Sequence, residues 1–280
     1  GEEALAAMRL DGERGQAPVE APARRAWRLE PLVLEGVRSA HGKHAPLSLR
    51  VPPGAIAAVV GPTGSGKTSL LRALLGLEAP AAGVVRYGGA RLDGRGVGPS
   101  ERPFAWVPQD APVLAATLAA NVALGRPEGA EHDGAGHLAE IGAGSLVAAA
   151  GEATLATERP VSGGERQWVA IARALATDLP VLLLDEPTSA LDAASQARVL
   201  EAVARLRGRR TVVLVTHRPE PLAIADVVVR LVDGEDRDDG AGRDLHDVRA
   251  EELAVEDVGA LALAEAQREA RAERVDAGAE

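Results

Sequence analysis

The rhythm of apolar and polar positions changes several times along the chain. Leu32–Val37 and Leu47–Val51 alternate between the two classes, which predicts strands of a small antiparallel sheet with one face packed. Pro52-Pro53-Gly54 is a turn, and Ala55–Val60 is then apolar without a break, the pattern of a strand buried on both faces of a parallel sheet. Val181–Leu184 and Val212–Val215 repeat that pattern, and Val227–Val232 closes the sheet. Helical spacing appears over Ser69–Leu77, where Gly76 and Pro80 end it, over Arg166–Leu175, and over Ala193–Arg207, with Val199, Val203 and Leu206 on one face. Val84–Tyr87 and Phe104–Val107 predict further strands around a glycine-rich loop, and Pro112–Glu158 predicts several short helices. The chain therefore reads as α/β, with a mainly parallel sheet, an antiparallel β subdomain and an inserted helical subdomain over about 112–173. The expected organisation is a flexible leader over 1–30, a domain over 31–233, and an acidic tail over 234–280 whose Glu251–Arg274 portion is helical.

Composition narrows the chemistry. Hydrophobic residues make up 46% of the 280, but aromatics only 2%, so the core must be built from Ala, Val and Leu. Cysteine is absent, which excludes disulfides, thiolate metal sites and a cysteine nucleophile. The net charge of −10 argues against a nucleic-acid partner. All of that charge lies between Asp233 and Glu280, where sixteen acidic residues face six basic ones, and the rest of the chain is neutral. No run approaches the roughly 18 apolar residues of a membrane helix, and no signal peptide is visible. Among the 31 basic residues only Lys43 and Lys67 are lysines, and Lys67 stands inside a glycine run.

That run, Gly61-Pro62-Thr63-Gly64-Ser65-Gly66-Lys67-Thr68, fits the phosphate-loop pattern G-x-x-x-x-G-K-[ST] between a buried strand and a helix. Its glycines let successive backbone N–H groups turn inward toward phosphate oxygens, and the helix beginning near Lys67 adds its N-terminal dipole. Lys67 supplies a compact cation for the β- and γ-phosphates, and Thr68 a hydroxyl for Mg²⁺. A second site begins where the apolar strand Val181–Leu184 ends in Asp185-Glu186. A buried parallel strand delivers such acids to its C-terminal edge, beside the phosphate loop. Asp185 is placed to hold Mg²⁺ and Glu186 to act as general base on water.

Gly61–Thr68, Gln109, Ser162-Gly163-Gly164-Glu165, Asp185–Asp192 and His217 occur in an order and spacing that resemble an ABC-type ATPase over about residues 31–233. Ser162-Gly163-Gly164 is decisive, because it separates this family from other phosphate-loop classes. The resemblance implies a P-loop NTPase core of the RecA-like kind, hydrolysis of ATP with Mg²⁺, and two ATPase domains paired head to tail around two nucleotides. It further implies that Ser162, Gly163, Gly164 and Glu165 meet the γ-phosphate bound by the partner's phosphate loop. Gln109 would touch Mg²⁺ and relay its state to a membrane partner, Asp192 would end the loop crossing the dimer interface, and His217 would contact the γ-phosphate and order Glu186. His41 occupies the position where the family places an adenine-stacking aromatic, while Trp27 lies too far upstream.

Other departures from the family pattern are Val161 for Leu, Glu165 for Gln, and Trp168 where a basic residue is common, so that Trp168 is expected to pack against a neighbour. The stretch Gly151–Pro160 is also shorter than its exporter counterparts. Trp106-Val107-Pro108-Gln109 with Leu114, Thr117, Asn121 and Leu124-Gly125 is similar to exporters whose ATPase follows a six-helix membrane domain. Asn121–Gly125 and Thr216-His217-Arg218-Pro219 most resemble the bacterial exporter of cysteine and glutathione needed for cytochrome bd assembly, a heterodimer. Under that resemblance Gly1 is an internal boundary with membrane helices upstream, and the domain works at the cytoplasmic face of a bacterial inner membrane. Two other readings are a soluble ABC ATPase acting on nucleic acid or ribosomes, and a regulatory nucleotide-binding subunit. The first wants paired ATPase domains or long coiled coils and a basic stripe; the second is opposed by Glu186.

Overall fold

The computed structural model describes residues 26–98, 100–124, 126, 133–189 and 191–231. The expected tail, and all but the end of the expected leader, lie outside these residues. Two sheets organise what is described. The antiparallel sheet has the order β2-β1-β4-β5, formed by β1 (Leu32–Arg38), β2 (Leu47–Val51), β4 (Ala82–Tyr87) and the two-residue β5 (Ala90–Arg91). The other is parallel throughout, ordered β6-β7-β8-β3-β9, from β3 (Ile56–Val60), β6 (Phe104–Val107), β7 (Val181–Asp185), β8 (Thr211–Thr216) and β9 (Val227–Arg230).

The apolar runs are unbroken because both faces of the parallel sheet are covered. Ile56, Ala58, Leu182, Leu184, Val212 and Leu214 enter one core, which the helices that follow β6 complete. Their neighbours Ala57, Val59, Leu183, Val213 and Val215 enter the other, closed by the antiparallel sheet and by α1 (Lys67–Leu75). Aliphatic residues fill both cores, as the composition requires. Trp27, Tyr87 and Phe104 form an edge-to-face cluster, with centroids 5.9 and 6.5 Å apart. Trp27 is therefore engaged as a core aromatic.

The remaining helices are α2 (Leu118–Ala123), α3 (Gly134–Glu140), α4 (Gly144–Ala150), α5 (Gly163–Leu175) and α6 (Ala193–Ala204). Buried Asn121 and Arg173 hold the first of these to α5. The Asn121 side chain accepts from Leu114 N–H at 2.9 Å and donates to Leu114 O at 3.0 Å, while Arg173 donates to Asn121 O and Pro112 O at 2.9 and 3.0 Å. Trp168 is packed as expected, with the Arg198 guanidinium 5.5 Å above its ring.

Element boundaries differ from the sequence expectation by up to three residues: α5 opens at Gly163 instead of Arg166, and α6 closes at Ala204 instead of Arg207. Helix α1 begins at Lys67, two residues before its apolar pattern starts at Ser69, because Gly66 (φ 98°) takes the left-handed cap position inside the phosphate-loop motif. It ends at Leu75, where Gly76 (φ 76°) caps it and where a Cβ would stand 2.4 Å from Arg102 Nε. Arg102, buried at 5% exposure, donates to the carbonyls of Leu74, Leu92, Arg95 and Gly96. It thereby satisfies a carbonyl of the last turn of α1 and ties that helix to the loop entering β6.

Candidate functional site

Because all five strands of the second sheet run parallel, the loops after β3, β6, β7 and β8 emerge at one edge. They carry residues 61–66, Gln109, Glu186 and His217 respectively, with Asp185 the last residue of β7. The sheet order puts β8 between β7 and β3, so His217 leaves the sheet between the acids and the phosphate loop.

Lys67 is 6% exposed, and its Nζ donates to Gly61 O at 2.7 Å and Pro62 O at 2.9 Å. The loop thus curls around its own lysine. Burial lowers the Lys67 pKa, and the nearby Glu186 and Asp185 carboxylates oppose that shift. Gly66 is required on two counts: its φ is left-handed, and a Cβ there would lie 2.5 Å from Gly42 Cα. The turn carrying His41 therefore rests on the phosphate loop, with the His41 side chain exposed. Buried His44 braces this turn, its Nε2 2.8 Å from Ser39 Oγ and its Nδ1 2.8 Å from Ala45 O. Pro62, Thr63 and Gly64 are exposed, Ser69 half-buried, and the buried Ser65 hydroxyl has no protein partner.

Thr68 Oγ1 donates to Asp185 Oδ1 at 3.3 Å, which joins the phosphate loop to the acidic strand end. Burial pushes the Asp185 carboxyl up, and the Thr68 hydrogen bond opposes this. Glu186 has φ 44°, a left-handed conformation rare outside glycine and costing about 1 kcal/mol. This turns the chain sharply out of β7, and Ser189 N–H closes the turn on Glu186 O at 3.2 Å. Glu186 Oε1 is 3.0 Å from His217 Nδ1; an ionised carboxylate only accepts, so that bond uses the Nδ1–H tautomer. Gln109 is exposed and donates from Nε2 to Ser189 Oγ at 3.2 Å.

Ser162, Gly163, Gly164 and Glu165 stand apart, at the N-terminus of α5. Among the described residues no hydrogen bond joins them to residues 61–69. Glu165 N–H donates to Ser162 Oγ and Ser162 N–H to Glu165 Oε2, a complete capping box. Burial pushes Glu165 up, but the Arg159 and Ser162 hydrogen bonds outweigh it and hold the carboxyl below the usual range. Gly164 packs tightly on α6, since a Cβ there would meet Ser195 Cβ at 3.1 Å. Asp192 caps α6, accepting from Ser195 N–H at 2.9 Å and Ser195 Oγ at 2.8 Å.

Three supports were not anticipated from sequence. Gln167 of α5 donates to Gln109 O at 3.1 Å, linking the glutamine loop to the serine-glycine helix. Arg218 donates to Ser189 O at 2.8 Å and to Gln196 Oε1 at 3.2 Å, bracing the turn after Glu186. Arg159 pairs with Glu165 at 2.6 Å.

The residue set fits ATP with Mg²⁺. The cradle that a Cβ would obstruct, the buried cation and the orphaned Ser65 hydroxyl suit a polyphosphate. A hydroxyl beside one carboxylate suits a hard cation that keeps water and phosphate oxygens as its other ligands. Among the described residues no cluster of three or more His, Cys, Asp or Glu could hold a metal on its own.

The sequence matches the family model described as ABC transporter over residues 45–189. It is 38% identical over 201 residues to the β-(1→2)glucan export ATP-binding/permease protein NdvA of Rhizobium etli, covering 70% of this chain and 34% of that protein. It is 38% identical over 207 residues to the Fe(3+) ions import ATP-binding protein FbpC 2 of Rhodococcus jostii, covering 71% of this chain and 58% of that one. The Yersinia pestis FbpC is 41% identical over 188 residues, 65% of this chain and 53% of its own length. The chain thus spans about a third to three fifths of these relatives. A bacterial Atm1-family ABC exporter, solved with ATP bound, has the same fold at TM-score 0.61 and 24% identity, over 83% of this chain and 43% of that one. The chain belongs to the ABC transporter family and carries its ATP-binding domain, the domain with which that family hydrolyses ATP.

Proposed function

We propose that this chain is the ATP-hydrolysing motor of a membrane transporter, active as a head-to-tail pair of ATP-binding domains. The observation that carries the reading is the meeting of four loops at one sheet edge, with Thr68 on Asp185 and His217 on Glu186. Lys67 exchanges its bonds to Gly61 O and Pro62 O for β- and γ-phosphate oxygens, and the 63–66 backbone amides bind the rest of the chain of phosphates. Thr68, Asp185 and Gln109 hold Mg²⁺, which screens phosphate charge when bound. Glu186 accepts a proton from the attacking water, and His217 fixes the carboxylate and faces the γ-phosphate. Ser162, Gly163 and Gly164 donate to the γ-phosphate on the partner's loop, and His41 lies against the base.

Relatives and surface support a reading of arrangement and direction. Leu77, Val97, Trp106, Leu114 and Leu124 are exposed, and Trp106 and Leu114 flank Gln109 in sequence, offering apolar contact to a transmembrane domain. Relatives run both ways, toward glucan export and ferric-ion import. Export is favoured by the segment from Trp106 to Gly125, and cysteine or glutathione as cargo by Asn121–Gly125 and Thr216–Pro219. The motor then works at the cytoplasmic face of a bacterial inner membrane. A composite site makes hydrolysis second order in protein. The specific rate should rise about tenfold as the chain is concentrated through its pairing range, and saturate. A specific rate independent of concentration, with the chain monomeric by light scattering, contradicts the reading.

A further inference from the structure

The N-terminal turn of α5 carries a negative charge where the proposed function brings in another. A carboxylate at the third helical position supports the helix, but it repels an approaching polyphosphate within a Debye length of about 10 Å. Here one Glu165 oxygen closes the capping box on Ser162 N–H at 2.9 Å, and the other accepts from Arg159 at 2.6 Å. Both side chains are 21% exposed. Arg159 itself is fixed from behind. Its carbonyl accepts from Ala156 N–H at 2.9 Å, and Glu158 N–H donates to Thr154 O at 2.9 Å. Leu155, fully buried, anchors the turn by donating to Ala116 O at 3.0 Å.

A cavity of about 330 Å³ adjoins this helix end, lined by Ser162, Gly164, Glu165, Trp168, Ser195 and Arg198. Arg198 donates to Ser195 Oγ at 3.3 Å, and that oxygen donates to Asp192 Oδ2 at 2.8 Å. Among the described lining residues Glu165 is the one carboxylate, and Arg159 is paired with it.

We propose that Arg159 is a positioning residue for ATP-driven pairing: it neutralises Glu165 and locks it in the capping box, so that the α5 N-terminus stays open to the γ-phosphate on the partner chain. This rests on the head-to-tail reading above. Arg159 touches neither nucleotide nor water, and its effect passes through Glu165.

The test compares the half-saturating ATP concentration for hydrolysis in wild type, Arg159→Ala, Glu165→Gln and the double variant, at low and high salt. Arg159→Ala should raise that concentration on the order of tenfold at 50 mM salt, with most of the difference gone at 500 mM as screening sets in. In the Glu165→Gln background Arg159→Ala should shift that concentration by less than about twofold relative to Glu165→Gln alone, because no charge remains to be neutralised. An Arg159→Ala penalty of the same size in both backgrounds, or one indifferent to salt, would show Arg159 to be a support for its turn and overturn the proposal. Ser162→Asp, run alongside, separates the two readings. If Ser162→Asp suppresses hydrolysis and Arg159→Ala leaves it as in wild type, only the role of Arg159 falls. If neither variant changes it, the head-to-tail reading falls as well.

Discussion

Glu186→Gln should lower ATP turnover about a thousandfold while leaving nucleotide binding intact, the loss expected when a general base is removed. The substitution is nearly isosteric, and the Gln carbonyl oxygen can still accept from His217 Nδ1–H across the present 3.0 Å. The left-handed backbone at this position and the turn to Ser189 involve only main-chain atoms, so they survive. What is lost is the ability to take a proton from water. Because pairing precedes hydrolysis in this account, the variant should accumulate as an ATP-bound dimer. Phosphate release and light scattering with Mg-ATP check both halves; turnover within about tenfold of wild type would remove Glu186 from the base role.

Lys67→Ala should weaken ATP binding by about a hundredfold, the value of two charge-assisted hydrogen bonds to phosphate partly offset by desolvation. Stability should hardly fall. Lys67 is buried, its pKa is lowered by that burial, and its only hydrogen-bond acceptors here are two loop carbonyls. Removing a buried cation that the fold disfavours leaves Gly61 O and Pro62 O to water, a loss of about 1 kcal/mol at most. Calorimetric titration with Mg-ATP, beside a thermal melt, reads the two effects separately. Unchanged affinity would contradict the phosphate-loop assignment, and a collapsed melt would make the lysine structural.

What the sequence disclosed is what leaves a local trace. The unbroken runs at Ala55–Val60, Val181–Leu184 and Val212–Val215 report burial on both sheet faces, and β3, β7 and β8 stand there. Glycines and acids at the ends of those runs reported the shared edge. The apolar pattern of α1 starts two residues after the helix does, because a left-handed glycine cap lies inside the motif itself. The two-residue β5 is too short for any periodicity. Arg102, Gln167 and Arg173 were illegible for a common reason: each acts through bonds that are non-local or directed at backbone carbonyls, and an arginine or glutamine carries no sign of which partner it will meet. Glu165 was visible as a departure from the family pattern, yet its compensation by Arg159 required the folded turn at Thr154–Arg159.

The central claim is that each ATP site is shared between two chains. Mixing the Lys67→Ala chain with the Ser162→Asp chain tests it most directly. The first keeps an intact α5 N-terminus; the second keeps its phosphate loop, and Asp preserves the helix cap while setting a carboxylate against the γ-phosphate. Each alone should be nearly inactive. Random pairing makes half of all dimers mixed, each with one intact site of two, so the mixture should recover about a quarter of the wild-type rate. A mixture that forms dimers yet stays as inactive as its components would contradict the account.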